Sequence, residues 1–397
     1  MINQTNVIVM GGSLGGLSAA LFLRTAGCHV TIFERAPAPL IGLGAGIVLN
    51  PATVRYFIQQ GKPDVRQISV ASHWVRYWGE QGQTLGEQYA PYRFSSYNAL
   101  YQGLLAAFGL EHYHCGEMVT GFQQDAQGVT VQLASGRRVH GDLLVCADGI
   151  RSTARRRLLR NTHLTYAGYI AWRGVVSASD LAPATFAALR DAITYHLMPQ
   201  SHILTYPIPV VDQGHAQTQP LINWLWYRNV SLGPALNTLM TDQQGIVHDV
   251  ALSPGAVRAE HLAALRQAAA ALPPSLAELI HRTAHPFIQA IMDCEPPRMA
   301  FGRVCLIGDA AFVARPHAAA GTAKAVEDGW QLSQALSACQ GDIDAALQQW
   351  EPKQLALGHA VLQRTRVAGQ RSQVESSWRV GDPLPFGLYT IGDSVME

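Results

Sequence analysis

The side chains best suited to hold an aromatic guest or move a proton lie in the middle of this chain and near its end. In His202-Ile203-Leu204-Thr205-Tyr206, a strand's period of two puts His202, Leu204 and Tyr206 on one face. Asn223, Leu225 and Tyr227 share a face by the same count, which adds Tyr227 as a weaker candidate. Such a wall could hydrogen-bond a hydroxylated ring; alternatively, each residue belongs to the core and has a satisfied polar tip. His317, beside Pro316, could act as a base or orient a ligand near working pH, or serve structure alone. His196 is weaker still. No carboxylate pair, metal-ligand cluster or nucleophile triad is evident.

The stretch that sets the plan of the chain is Asn6 to Arg35. Val7-Ile8-Val9-Met10 reads as a buried parallel strand, and it stops at Gly11-Gly12-Ser13-Leu14-Gly15-Gly16. A helix follows to Ala26, Gly27 ends it, and Val30-Thr31-Ile32-Phe33 forms a second strand ending at Glu34. In a dinucleotide fingerprint, glycines serve the turn, the approach to pyrophosphate and the helix–strand contact. Gly11 and Gly16 fill the first and third places, while Ser13, small and able to donate a hydroxyl, stands in the second. Glu34 lies 18 residues after Gly16, where a carboxylate can accept from an adenosine ribose. The alternative is a glycine-rich turn of an ordinary α/β protein.

Two later strand ends repeat the pattern. Leu143-Leu144-Val145-Cys146 runs into Asp148-Gly149, and Val304-Cys305-Leu306-Ile307 runs into Gly308-Asp309. After Pro316, a helix starting at Gly321 would aim free backbone N–H groups at an electron-rich ligand edge. Gly42 to Ile47 is a second glycine-rich loop, either approaching something flat or merely connecting. Residues 166–289 differ, with Tyr169, Trp172, Tyr195, Trp224 and Trp226 in alternating segments that read as antiparallel sheet. Helices are expected at Thr53–Gln60, Tyr97–Phe108, His261–Leu272 and Trp350–Gln370, and an irregular tail from Val380.

The 397 residues allow two or three domains, and 48% hydrophobic with 14% charged residues is ordinary globular composition. A net charge of +1 argues against nucleic acid as a partner. Arg151, Arg155, Arg156, Arg157 and Arg160 form the only dense basic cluster, read as a solvated helix face. Six scattered cysteines suit reduced thiols in the cytoplasm. No secretory signal or membrane-length apolar stretch is visible.

The joint order of G-x-S-x-x-G with Glu34, Asp148-Gly149 and Gly308-Asp309 resembles the single-component FAD-dependent aromatic hydroxylases, the 4-hydroxybenzoate hydroxylase class, over nearly the whole chain. That resemblance implies an α/β fold, in which a Rossmann-like FAD-binding domain of glutathione-reductase type is interleaved with a mostly antiparallel substrate domain covered by helices. The FAD-binding domain would comprise 1–70, 97–165 and 290–372, the substrate domain 71–96 and 166–289, and the tail 373–397. Gly11, Ser13, Leu14 and Gly16 would approach the pyrophosphate, with Glu34 on the ribose and Arg35 beside it. Asp148 would touch FAD and the nicotinamide cofactor, with Arg155 ending its motif, and Asp309 would bind the ribityl chain or pyrophosphate. Pro316, Gly46 and Ile47 would flank the flavin, and Gly321, Thr322 and Ala323 would offer N–H groups to its pyrimidine end.

The implied activity is hydroxylation of a small dihydroxypyridine-like ring ortho to a hydroxyl through a flavin C4a-hydroperoxide. FAD is the cofactor, NADH or NADPH and O2 are co-substrates, and assembly as a homodimer is left open. Phe312, Tyr97 and Ala319-Ala320 depart from the class, which commonly has histidine, a basic residue and Gly-Gln at these places. A halogenase or oxidase, and a non-catalytic FAD-binding sensor, are the alternatives. Trp224-Leu225-Trp226 superficially matches a halogenase signature, but Tyr227-Arg228 replaces its isoleucine and proline.

Overall fold

A computed structural model describes residues 5–42, 45–212, 215–216 and 220–394, with backbone only for 211–212 and 215–216. Leu43 and Gly44 of the second glycine-rich loop lie outside the described residues. Among these, a six-stranded sheet runs Ala300–Phe301, Val304–Leu306, Leu143–Cys146, Asn6–Met10, His29–Phe33 and Tyr113–His114. It is parallel except for its first pair. Its middle strands are almost wholly apolar because both faces are covered: Val7, Ile8, Val9 and all of Leu143–Cys146 are buried, and only Asn6 at the strand's start is exposed. Each large aliphatic side chain taken from water there contributes about 1.5–3 kcal/mol. Helices Leu14–Thr25 and Gly321–Ala338 pack against each other so closely that a Cβ at Gly329 would lie 2.6 Å from Ala19.

The second sheet has nine strands in the order Ala251–Leu252, Phe287–Asp293, Thr165–Ser177, Leu221–Asn229, Ser201–Ile208, Ala192–Met198, Val70–Trp78, Thr84–Ser96 and Gly46–Val48. All its pairs are antiparallel except Ala192–Met198 with Val70–Trp78. The register sets His202 opposite Tyr227, Leu204 opposite Leu225, and Arg173 opposite Leu225 on the other side. One face therefore carries Tyr169, Arg173, His202, Tyr206 and Tyr227. The opposite face carries Trp172, Trp224 and Trp226 into a cluster with Leu265, Leu276 and Ile280 of helices Ala259–Ala269 and Pro274–Arg282.

Several boundaries differ from the sequence reading. Gly46–Val48, within the stretch 1–70 assigned to the first domain, pairs with Thr84–Ser96 in the second sheet. The last long helix spans Ile343–Gly369, starting earlier than Trp350 because the Asp342 side chain accepts the Ala345 N–H at 3.0 Å. After a π-turn at Gln370–Val374 the backbone is irregular, yet Leu384, Phe386 and Leu388 are buried. The Gly387 N–H donates to Ala318 at 3.0 Å, and Arg364 donates to the carbonyls of Gly387, Leu388 and Tyr389. All six cysteines are free, and no described helix is long and apolar enough to cross a membrane.

Candidate active site

The parallel strands open at their C-terminal ends onto a cavity of about 340 Å³ lined by Gly11, Ser13, Glu34, Arg35 and Asp148. Gly11 has φ +101°, and a Cβ there would sit 2.4 Å from the Ala147 oxygen. At Gly16 a Cβ would lie 1.9 Å from the Gly11 oxygen, so only glycine lets the helix start against the turn. Gly16 and Leu14 do not line the cavity, and Leu14 is buried in the core. Both Glu34 oxygens are engaged, accepting from the Gly12 and Ala36 N–H groups at 2.8 Å each. A carboxylate has about four acceptor positions, which leaves room for a ribose hydroxyl.

Asp148 accepts from the Ser152 hydroxyl at 2.6 Å and from the N–H groups of Thr153 and Ala154 at 2.7 and 3.2 Å. It therefore caps the helix Thr153–Leu158, whatever else it touches. Arg155 corrects the reading of its cluster as a solvated face. It is 2% exposed and donates to the carbonyls of Asp309 at 2.8 Å, Ala310 at 3.0 Å and Ile150, tying the Asp-Gly turn to the Gly-Asp turn. Arg156, Arg157 and Arg160 are exposed. The Gly308 N–H donates to Asp328, which is held at 2.7 Å by Lys324 in a buried ion pair.

A second cavity, of about 310 Å³, lies where the two sheets meet. Gly46, Ile47, Asp309, Pro316, Gly321 and Thr322 line one side. Arg173, His202, Tyr206, Tyr227 and His317 also line it, and Trp378 and Phe386 reach it from the tail. Ala323 is buried outside this lining. The helix Gly321–Ala338 begins there without a side-chain cap, leaving its first N–H groups for a ligand. The Asp309 side chain is exposed to the cavity while protein surrounds it, and burial pushes its carboxyl up against the opposing pull of Arg155 and Lys324. Ser13 lines the first cavity and Tyr97 the second, and their hydroxyls meet at 2.8 Å.

His202 is 1% exposed, and burial lowers its pKa to about 3. Its Nδ1 is 3.0 Å from the Gln373 amide nitrogen, which can only donate, so the ring proton sits on Nε2. His317 has its Nε2 2.7 Å from the Tyr169 hydroxyl. Burial, with His202 and Arg315 adding to it, holds His317 well below the usual histidine range, which corrects the expectation of a group titrating near working pH. Tyr227 lies between these imidazoles, with ring centroids 4.6 Å from His202 and 4.9 Å from His317. Tyr206 stacks on Phe94 at 4.5 Å. Burial raises both phenols, Tyr227 to about 12, while Arg173 pulls each down. His196 bonds the Trp78 carbonyl at 3.0 Å and does not line the cavity.

Sequence reasoning missed Arg173, Gln373, Trp378 and Phe386. A lone arginine inside the apolar run Tyr169 to Val176, in phase with Tyr169, was a usable signal for the first. No periodicity marks the other three. Trp224 and Trp226 face away from the cavity, and Trp224 Nε1 donates to Thr283 at 2.9 Å, so the superficial halogenase match has no counterpart in the site.

A family model described as "FAD binding domain-like" matches residues 166–293. The chain is 38% identical over 389 residues to 2,6-dihydroxypyridine 3-monooxygenase of Paenarthrobacter nicotinovorans, covering 96% of this chain and 95% of that one. It is 26% identical to 6-hydroxynicotinate 3-monooxygenase of Pseudomonas fluorescens, over 85% and 83% of the two chains. The solved structure of 2,6-dihydroxypyridine-3-hydroxylase from Arthrobacter nicotinovorans superposes with a TM-score of 0.92 at 37% identity, covering 98% of each chain. The glycine cradle at Gly11 and Gly16 and the open helix start at Gly321 fit an extended dinucleotide with a flat head. With likeness running from end to end over a crevice of that shape, the chain belongs to the FAD-dependent aromatic-ring hydroxylases.

Proposed function

We propose that this monooxygenase hydroxylates a small dihydroxypyridine-like ring ortho to an existing hydroxyl, with NAD(P)H and O2 as co-substrates. Ring C–H, NAD(P)H, a proton and O2 become ring C–OH, NAD(P)+ and water. FAD held by these residues would supply the redox and oxygen-transfer chemistry. The carrying observation is that one 310 Å³ cavity is walled by both the strand-end loops and the aromatic face of the antiparallel sheet.

On this reading, Gly11, Ser13 and Glu34 hold the adenosine diphosphate half. Asp309, Pro316, Gly46, Ile47 and the first N–H groups from Gly321 surround the flavin. His202, fixed by Gln373 with its proton on Nε2, donates to a ring oxygen. Tyr206 and Tyr227 supply the flat walls, and Trp378 and Phe386 exclude water from the reacting face. His317 orients the guest as a neutral imidazole held by Tyr169. The six free thiols favour a cytoplasmic setting.

The test is a screen of hydroxypyridines and hydroxybenzoates for faster NAD(P)H oxidation by the holoprotein, with product mass read in parallel. A dihydroxypyridine should stimulate most and gain one oxygen atom. Absence of a flavin spectrum, or of any aromatic that stimulates oxidation, would end the proposal.

A further inference from the structure

We propose that Arg315 is a positioning residue: it turns the Tyr169 hydroxyl so that His317 keeps its proton on Nδ1 and serves the ring as a hydrogen-bond donor, not as a base. The inference deepens the functional reading above and rests on it. Arg315 lies in the loop before Pro316 and grips the buried Asp293 at the end of the strand Phe287–Asp293. Its Nε is 3.1 Å from both carboxylate oxygens, and its Nη2 is 2.8 Å from one of them. Arg366 completes the group, its Nε 3.4 Å from Asp293 and its Nη1 2.8 Å from Glu295. Two cations thus face two carboxylates, and the cluster needs no outside anion. Asp293, Glu295 and Arg366 do not line the cavity, so only Arg315 carries their hold to it.

The guanidinium also lies against Tyr169. A Cβ on Gly369 would sit 2.5 Å from the Tyr169 hydroxyl and 2.7 Å from Arg315 Nη1, so the two groups meet over bare backbone. Arginine can only donate, and its charge is permanent. Its field draws the phenol oxygen toward it and turns the hydroxyl proton the other way, to His317 Nε2 at 2.7 Å. An imidazole nitrogen that accepts carries no proton, and burial keeps this ring neutral, so its one proton sits on Nδ1. Nδ1 makes no hydrogen bond among the described residues, and His317 lines the cavity. His202 is fixed the opposite way, with its proton on Nε2. The cavity therefore meets its guest with two neutral N–H donors, on rings whose centroids are 5.8 Å apart. A ring bearing two acceptor oxygens satisfies both. Without Arg315, the charge of Asp293 would draw the Tyr169 proton toward itself, and His317 would have to donate from Nε2 instead.

The test is nitrogen NMR of holoenzyme isotope-labelled in its histidine rings, because protonated and bare imidazole nitrogens resonate far apart. His317→Gln identifies the signals by their loss. The wild type should show Nδ1 protonated and Nε2 bare. Arg315→Gln should move the proton to Nε2, and Arg315→Lys should return it. Tyr169→Phe, which leaves the ion cluster whole, and Gly369→Ala, which wedges the hydroxyl away from the guanidinium, should each raise the Nε2–H population. These two read the same contact if Arg315→Gln does not fold. Binding gives a second readout, as dissociation constants from the change in flavin absorbance on titration. Arg315→Gln should weaken 2,6-dihydroxypyridine by about 10-fold, the worth of one hydrogen bond in a buried site, and 2-hydroxypyridine, with one oxygen, by less. A wild type with its proton on Nε2 would overturn the proposal. So would a proton that stays on Nδ1 in both Arg315→Gln and Tyr169→Phe, or unchanged affinity in a variant whose proton has moved. Neither readout needs turnover, so a wild type that behaves as expected but oxidises no NAD(P)H would keep the role of Arg315 and refute the monooxygenase reading.

Discussion

The amide nitrogen of Gln373 lies 3.0 Å from Nδ1 of His202, across 171 residues of chain. That bond joins the turn after the last long helix to the sheet wall and dictates which imidazole nitrogen carries the proton. A protonated His202 would set an N–H against an N–H, which reinforces the effect of burial.

Gln373→Leu should therefore lower kcat/KM by about 10-fold, the cost of one buried hydrogen bond to a group that orients the ring. Flavin content, read from the visible spectrum, should be unchanged. A variant with wild-type kcat/KM would show that His202 needs no such anchor.

Stability should fall on mild acidification. His202 is depressed to about 3 in the folded protein and returns to about 6.5 when unfolded, so between these values the unfolded chain binds the extra proton. Its contribution is complete above pH 6.5 and is lost as pH falls toward 3. His317, also depressed, acts in the same direction. Urea unfolding between pH 5 and 7 should show a slope reduced by up to about 1.4 kcal/mol per pH unit in His202→Gln.

Gly11→Ala should fail to retain flavin. The residue would have to hold φ +101° with a Cβ 2.4 Å from the Ala147 oxygen, so the turn must shift. The expected result is purified protein without the flavin absorbance, with a lower Tm. A yellow variant of normal stability would exclude the proposed tightness of this turn.

Removing the cation of the buried pair should leave Asp328 alone beneath the Gly-Asp turn. Lys324→Met should cost about 3–5 kcal/mol, measured by denaturant titration. Lys324→Met with Asp328→Leu should recover part of that loss, although the Gly308 N–H then lacks its acceptor at 2.9 Å.

Phe386 closes the cavity from a segment with no regular structure, and it packs edge-on against Tyr92 at 5.6 Å. Phe386→Ala should admit water and lower the ratio of hydroxylated product to NAD(P)H consumed, while flavin content stays normal. Product quantified against nicotinamide oxidation at saturating aromatic substrate gives that ratio.

Much of the fold is legible locally because a parallel strand buried on both faces must be apolar, and the turn after it must use glycine. Asn6–Met10, Gly11, Gly16 and Glu34 announce that unit from one short stretch. Period two likewise put His202 and Tyr206 on one face, since alternation is a property of the strand itself. Arg155 escaped a reading based on composition. Four neighbouring arginines look like solvent-facing charge, and only the folded chain brings the carbonyls of Asp309 and Ala310 to this one.

The identity and spacing of residues by themselves determined the nucleotide crevice, the aromatic strand face and the order of the segments, because each follows from backbone geometry over a few residues. Tertiary structure alone decided the protonation of the two imidazoles, the burial of Arg155 against the Gly-Asp turn and the closure by Trp378 and Phe386. These depend on burial and on contacts between segments far apart in the chain, and no local pattern encodes the dielectric or the neighbours a side chain will meet.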